Sequence, residues 1–149
     1  MTAPSYIAAQ ALATLVNAAW QGGQQMPPCN AALSPSVSPA TGAETVPAAY
    51  AIPVQHDTER ASRAAVSNTM TVALILVMNA ETEADAVGWL GMMDAAVRHV
   101  LAEGRQDNVA FVRAASAVLY DSELLANAGI FRAQVNFECL SHSPLTEES

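Results

Sequence analysis

The amino-acid sequence predicts an α+β fold: an antiparallel or mixed sheet with one main helix packed on one face, plus an N-terminal helix and a long Pro-rich arm. Two segments carry the clearest periodicities. Residues 82–103 place apolar side chains at helical spacing, and residues 131–140 alternate apolar and polar side chains as a half-buried strand does. We find no internal repeat and expect residues 1–149 to form a single domain, because about 150 residues is a usual domain size.

The chain is acidic and contains no lysine. Six Arg stand against nine Glu and five Asp, which gives a net charge of −8. Such a chain is poorly suited to clamp nucleic acid, because that binding depends on Lys and Arg neutralising phosphates. Residues 1–55 contain one formal charge, Glu44. A region so free of charge is expected to be buried, disordered or covered by a partner.

No membrane or secretion signal is apparent. The longest apolar run, residues 72–78, is far shorter than the about 20 residues that a membrane span needs. The N-terminus lacks the basic region of a signal peptide, and Cys29 and Cys139 have no metal or redox spacing. We therefore expect a reduced, intracellular setting and no membrane partner.

The N-terminal third is predicted to be a helix followed by an arm. Residues 5–20 are expected to form the helix, with Ser5 as its N-cap and glycines ending it. Residues 24–47 contain five of the eight prolines and are expected to form an extended arm. This arm is either disordered or becomes ordered on a neighbouring subunit.

Residues 48–140 are predicted to form the sheet and its main helix. An edge strand is expected at 48–56, where Pro53 requires an edge or a bulge, and a long strand at 64–78 that enters the core at one end and protrudes at the other. The helix over 82–103 is expected to begin with a Thr82–Asp85 capping box and to end at Gly104.

The C-terminal part is predicted to contain two strands, a loop and a tail. A strand is expected within 109–120, centred on 115–119, and a loop at 121–129. In the strand over 131–140, the odd-numbered residues are expected to face the core. Residues 141–149 are expected to be an exposed end.

Candidates for catalysis are few. His56, Asp57 and Glu59 would suit metal binding or general base chemistry, but a solvated turn is the favoured interpretation. His99 and His142 form no recognised motif with them, and Cys139 on an apolar strand face is expected to be a packed thiol. A group of side chains in the main helix would suit a pocket but is more typical of core packing: Trp89, Met92 and Met93. We expect no catalytic residue, metal or cofactor, and no enzyme activity.

The order of elements resembles the tail terminator, or tail-completion, proteins of long-tailed bacteriophages. The resemblance covers the helix at 5–20, the arm and strands up to Met78, the step from strand 74–79 into helix 82–103, and the closing pair from Tyr120 to the strand at 131–140. It implies a structural virion protein that forms a ring, hexameric in the family, at the head-proximal end of the tail tube. Such a ring stops tube growth and joins the tail to the neck or connector.

The resemblance also implies partners and a location. These are copies of the chain itself, the tail tube protein and a neck, connector or stopper protein, in virions assembled in the host cytoplasm. DNA would pass through the ring without specific binding. The acidic charge suits that role, because an acidic lumen repels phosphate. Two alternatives stay open: another ring-forming neck, stopper or adaptor protein, and a small α+β ligand-binding domain or enzyme.

Subunit contacts are expected on uncharged surfaces. The candidate residues lie on the first helix, the edge strand and the protruding end of the long strand: Ile7, Leu12, Val16, Trp20, Tyr50, Ile52, Val54, Val66 and Met70. The edge strand is expected to pair with a neighbour by strand addition. Charged side chains expected to form ion pairs between subunits are Arg60, Arg63, Arg132 and Glu138.

Overall fold

A computed structural model of the protein describes residues 3–20, 26–33, 46–114 and 119–144. The described part contains three helices, α1 (Pro4–Trp20), α2 (Glu83–Glu103) and α3 (Ser122–Ala128). It contains seven strands: β1 (Cys29–Ala31), β2 (Ala48–Arg60), β3 (Ala65–Asn79), β4 (Arg105–Gln106), β5 (Val109–Ala114), β6 (Leu119–Tyr120) and β7 (Ile130–Pro144). The predicted α+β class with a mixed sheet is confirmed.

The strands form one mixed sheet in the order β1-β2-β3-β7-β5-β4, and β6 pairs with β7. β1 is parallel to β2, and the other pairings are antiparallel. The centre of the sheet consists of β2, β3 and β7. β3 pairs with β7 along its whole length, from Ala65 opposite Pro144 to Asn79 opposite Ile130. The protein is therefore built around three long neighbouring antiparallel strands.

The main core lies between one face of this sheet and helices α1 and α2. Because side chains alternate along a strand, the even-numbered residues of β3 and the odd-numbered residues of β7 share this face. The largest buried side chains there include Leu12, Leu74, Met93, Phe131 and Phe137. α1 contributes eight buried residues and α2 four. The expectation of a single main helix therefore understated α1, whose many alanines allow it to pack closely.

Sequence signals at the ends of α2 are confirmed. Asp85 N donates to Thr82 Oγ1, and Thr82 N donates to Asp85 Oδ2, so the capping box is complete. Gly104 ends the helix in the left-handed conformation at φ 73°. These contacts satisfy backbone groups that a helix end leaves without partners.

The predicted loop at 121–129 is wrong in part, because residues 122–128 form α3. Asp121 caps this helix by accepting from Leu124 N at 2.9 Å, and Gly129 ends it at φ 64°. Seven residues are too few to show an apolar periodicity in the sequence. The cap pattern was present, with Asp before the segment and Gly after it, and could have identified the helix.

Three further boundaries differ from the sequence predictions. The arm at 24–47 contains β1, and its residues 24–25 and 34–45 lie outside the described part of the chain. The exposed end predicted from residue 141 is wrong up to Pro144, since β7 continues to that residue, and residues 145–149 are not described. The centre of the strand predicted at 115–119 lies mostly outside the described residues, since 115–118 are not described, and the flanking residues form β5 and β6.

Candidate interface surface

The candidate contact residues of α1 belong mostly to the core of the chain itself. Leu12, Val16 and Trp20 are buried, and Ile7 is half-buried and packs against the same cluster. Trp20 also donates from Nε1 to the carbonyl oxygen of Met92. Leu12, Val16 and Trp20 pack inside the chain and offer almost no surface to a partner, so the prediction of a subunit contact on this face is wrong for these three residues.

The candidate residues of β2 differ in exposure. Tyr50 and Ile52 are buried in a second, smaller apolar cluster, which lies on the sheet face opposite the helices. The cluster contains six buried residues: Ala48, Tyr50, Ile52, Ala73, Ile75 and Val77. Val54, by contrast, is 56% exposed. Of the three candidates in β2, only Val54 offers an apolar side chain to a partner.

Val54 is the residue at which β2 bulges. Pro53 lies opposite Val72 and Gln55 lies opposite Thr71, so Val54 is the extra residue in β2. A bulge was one of the two explanations expected for Pro53, and it is confirmed. The bulge borders a shallow depression of about 260 Å³ whose other wall includes Ser5 at the start of α1.

The outer side of β2 is paired only near its beginning. β1 pairs with it from Cys29 opposite Ala49 to Ala31 opposite Ala51, and Ala32 N donates to Ala51 O at 3.0 Å. Beyond Ala51, no described strand pairs with this side. Among the described strands, the predicted edge strand is thus an inner strand over its first residues and a sheet edge over the rest, up to Arg60.

The protruding end of β3 also contained two candidate contact residues. Met70 is only 1% exposed and packs in the main core, so the prediction that it contacts a partner is wrong. Val66, four residues closer to the hairpin, is half-buried. The apolar core therefore extends to Met70, and the strand becomes polar beyond it.

Asn68 is the one buried polar residue identified in the described part of the chain, at 1% exposure. Its Oδ1 atom accepts from Thr58 Oγ1 at 3.1 Å and lies 2.9 Å from His56 Nε2. Its Nδ2 atom donates to Ser143 Oγ at 2.7 Å and to Ser141 Oγ at 3.4 Å. Asn68 thus connects β3 to both of its neighbouring strands.

The predicted cluster of His56, Asp57 and Glu59 does not converge. These residues lie on β2 and not in a turn, and successive side chains of a strand point to opposite faces. His56 therefore faces Asn68, whereas Asp57 and Glu59 lie on the other face. His142, expected in a tail, lies on β7 opposite Ser67.

Glu138 and Arg60, among the candidate ion-pair residues, have partners within the chain that were not predicted from the sequence. Glu138 accepts from Arg113 Nε at 2.8 Å across β7 and β5, within the chain. Arg60 Nε donates to the carbonyl oxygen of Ser62 in the hairpin. Arg63 is exposed in the same hairpin, and Arg132 is half-buried opposite Val77. Glu138 is therefore engaged within the subunit.

The methionine and tryptophan side chains of α2 do not line a deep pocket. Met93 is fully buried in the core, as its helical spacing indicated. Trp89 and Met92 border a depression of about 230 Å³, below the about 300 Å³ at which ligand pockets begin. Its one ionisable side chain, Asp85, already accepts from the backbone N–H groups of Glu81 and Thr82.

Both cysteines are buried thiols. Burial raises the pKa of Cys29 to about 12, and burial with the nearby Glu138 charge raises the pKa of Cys139 to about 12. A thiolate is the reactive form of cysteine, so these residues are poor nucleophiles at neutral pH. The expectation that Cys139 is a packed thiol is confirmed.

Sequence analysis missed several exposed apolar side chains. On α2 and the strands these are Val87 at 60%, Val112 at 51%, Leu101 and Leu140. Leu33, after β1, is also exposed. Val87 is flanked by small residues and lies off the apolar face of α2, which is the signal that could have identified it.

No protein-family model matches the chain, and no curated protein matches it in sequence. Within the described ranges, no three His, Cys, Asp or Glu side chains come together as a metal site would require. The described helices also lack the combined length and apolar content of a membrane span.

Proposed function

We propose that this chain is a structural virion protein that forms a ring at the head-proximal end of a phage tail tube. The ring, a hexamer in the resembling family, stops tube growth and joins the tail to the neck or connector. Its partners are other copies of the chain, the tail tube protein and a connector or stopper protein. It is assembled in the host cytoplasm and works by contact alone, without a catalytic residue, metal or cofactor.

The outer side of β2, with which no described strand pairs beyond Ala51, carries this proposal. Beyond Ala51 it offers backbone N–H and C=O groups and the exposed side chain of Val54. An open sheet edge is a template for strand addition by another chain. Each subunit of a ring needs such a contact, in which one surface of a copy binds a different surface of the next copy.

The acidic charge supports a channel that DNA passes without binding. Asp57 and Glu59 are exposed on β2, and the chain has a net charge of −8. In a ring this charge is multiplied by the number of subunits, and negative groups facing the lumen would repel phosphate. This part of the proposal requires the acidic side chains to face the lumen. A ring with Arg residues inside and acids outside would contradict it.

The Pro-rich arm is proposed as a second contact between subunits. Glu44 is its one formal charge, and residues 24–47 hold five prolines. A proline-rich segment with a single charge loses little conformational entropy when it lies along a neighbour. In this proposal, the main helix and the N-terminal helix support the sheet from one side, and the arm extends to the next subunit.

The test is the assembly state of the chain and of two matched variants. Val54 and Val87 are exposed to similar extents, on β2 and on α2 respectively. We expect the wild type to form a closed ring, by native mass spectrometry and light scattering, either alone or on tail tube ends. Val54→Asp is expected to be a folded monomer, whereas Val87→Asp is expected to assemble normally.

One outcome would overturn the proposed role, and a second would overturn only the proposed contact surface. A wild-type chain that stays monomeric and does not bind tail tubes would contradict a ring-forming role altogether. Normal assembly of Val54→Asp would contradict the contact on β2 but not the role. A chain that decorates the connector and not the tube, seen by imaging, would identify the neck or stopper alternative.

A further inference from the structure

The three central strands continue beyond the apolar core as a polar ribbon. We define the distal ribbon as residues 55–60 of β2, 65–69 of β3 and 140–144 of β7. On the helix side of β3, apolar residues are buried from Met78 to Met70, and the next position on that face is Asn68. Most ribbon side chains are polar on both faces, so burial of an apolar face does little to determine how its strands align.

Because β2 contains a bulge, its observed register differs by one residue from the register that it would have without the bulge. In the observed register, Val54 is left over and His56 lies opposite Met70. If Val54 instead paired with Thr71, every later residue of β2 would move by one position and reverse its face. Asp57 would then lie opposite Asn68.

The hydrogen bonds of Asn68 distinguish the two registers. Its Oδ1 atom only accepts, and both of its neighbours on β2, Thr58 Oγ1 and His56 Nε2, can donate to it. In the shifted register these two side chains would face away, and the acceptor oxygens of Asp57 would lie near Oδ1. The buried Oδ1 atom would lose both of its partners on β2, and an unpaired buried acceptor costs more than an ordinary hydrogen bond contributes.

We propose that Asn68 determines the strand register of the distal ribbon. Through Oδ1 it selects the bulged alignment of β2, and through Nδ2 it holds β7 by way of Ser141 and Ser143. This selection leaves Val54 without a partner residue on β3 and keeps Asp57 and Glu59 on the face away from the helices.

Hydrogen exchange followed by NMR tests this assignment. In Asn68→Ala, we expect the protected amides of the distal ribbon to exchange at least about tenfold faster than in the wild type, whereas amides at residues 74–76 in the core remain protected. Cross-strand contacts between His56 and Met70 are expected to weaken, with new contacts between Gln55 and Met70.

Two further variants keep the test decisive. Ser143→Ala removes one acceptor of the Asn68 amide and is expected to accelerate hydrogen exchange less than Asn68→Ala does. It replaces Asn68→Ala as the test variant if Asn68→Ala does not fold. Thr69→Ala changes an exposed neighbour on the opposite face of β3 and is the control expected to leave exchange unchanged. The inference would be overturned if Asn68→Ala kept the wild-type exchange rates and the wild-type cross-strand contacts. If Asn68→Ala does not fold, the same result in Ser143→Ala would overturn it. Equal acceleration in Thr69→Ala would overturn it too.

Discussion

The indole Nε1 of Trp20 donates a 2.9 Å hydrogen bond to the carbonyl oxygen of Met92, which joins the last residue of α1 to the middle of α2. Trp20 is buried at this junction. The bond lets a large apolar side chain enter the core without leaving its N–H group unpaired. It helps to fix α1, a helix with no charged side chain, against α2.

The junction predicts a measurable loss of stability. Trp20→Phe keeps an aromatic ring but removes the donor, and we expect it to lower the free energy of unfolding by about 1–3 kcal/mol, from the lost bond and the smaller ring. Urea denaturation monitored by circular dichroism gives this value. The matched control is Trp89→Phe, whose indole also donates to a backbone oxygen, that of Asn79, but is only half-buried. Equal losses in the two variants would contradict a special role for the α1–α2 junction.

A charge at Met70 is expected to unfold the chain. Met70→Asp places a carboxylate where only 1% of the residue is exposed, and burial of an unpaired charge costs several kcal/mol. Thermal unfolding should show either no cooperative transition or a greatly reduced midpoint. Val54→Asp, at an exposed position, is expected to unfold close to the wild-type temperature. A stable, folded Met70→Asp monomer would contradict the core boundary at Met70.

The two glycines inside α2 are expected to be replaceable. A Cβ atom at Gly88 or at Gly91 would meet nothing within 4 Å, so the observed packing requires neither of them. Gly88→Ala and Gly91→Ala should each raise the free energy of unfolding by up to about 1 kcal/mol, because alanine loses less backbone entropy in a helix.

Urea denaturation of the isolated subunit measures this gain. Gly104→Ala is the contrasting variant, since Gly104 has a φ of 73° and alanine there is strained; it should destabilise. A loss of stability in both α2 variants would show that the glycines serve the fold. A gain in stability together with lost assembly would place a partner on this helix face.

The buried thiols predict resistance to modification and a decline in stability at high pH. The pKa of each cysteine is raised to about 12 in the folded chain, above the about 8.5 of an exposed thiol. The folded state therefore favours the protonated form. Its stabilising effect is complete below about pH 8.5 and is lost as the pH rises toward 12.

A thiol reagent at pH 8 should thus label neither Cys29 nor Cys139 in the native protein and both after denaturation. Labelling and the free energy of unfolding are each measured as a function of pH. The same measurements on Cys139→Ser and Cys29→Ser serve for comparison. Rapid labelling of the native protein at either residue would contradict its burial.

Periodicity and capping residues determined a large part of this fold. The alternation at 131–140 placed Phe131 and Phe137 in the core, because a strand covered on one face must alternate. The Thr82–Asp85 capping box and Gly104 placed the ends of α2 to within a residue, because those side chains act on the backbone next to them. These are local effects, and a sequence displays them directly.

The tertiary structure decided what depends on contacts distant in sequence. β1 exists because residues 29–31 meet β2, and residues 141–144 are a strand because β3 extends beside them. Burial of Leu12, Val16 and Met70 removed them from the candidate interface, since an apolar side chain looks alike in a core and in a contact. The hydrogen bonds of Asn68 join residues up to 75 positions apart, and only the folded chain brings them together.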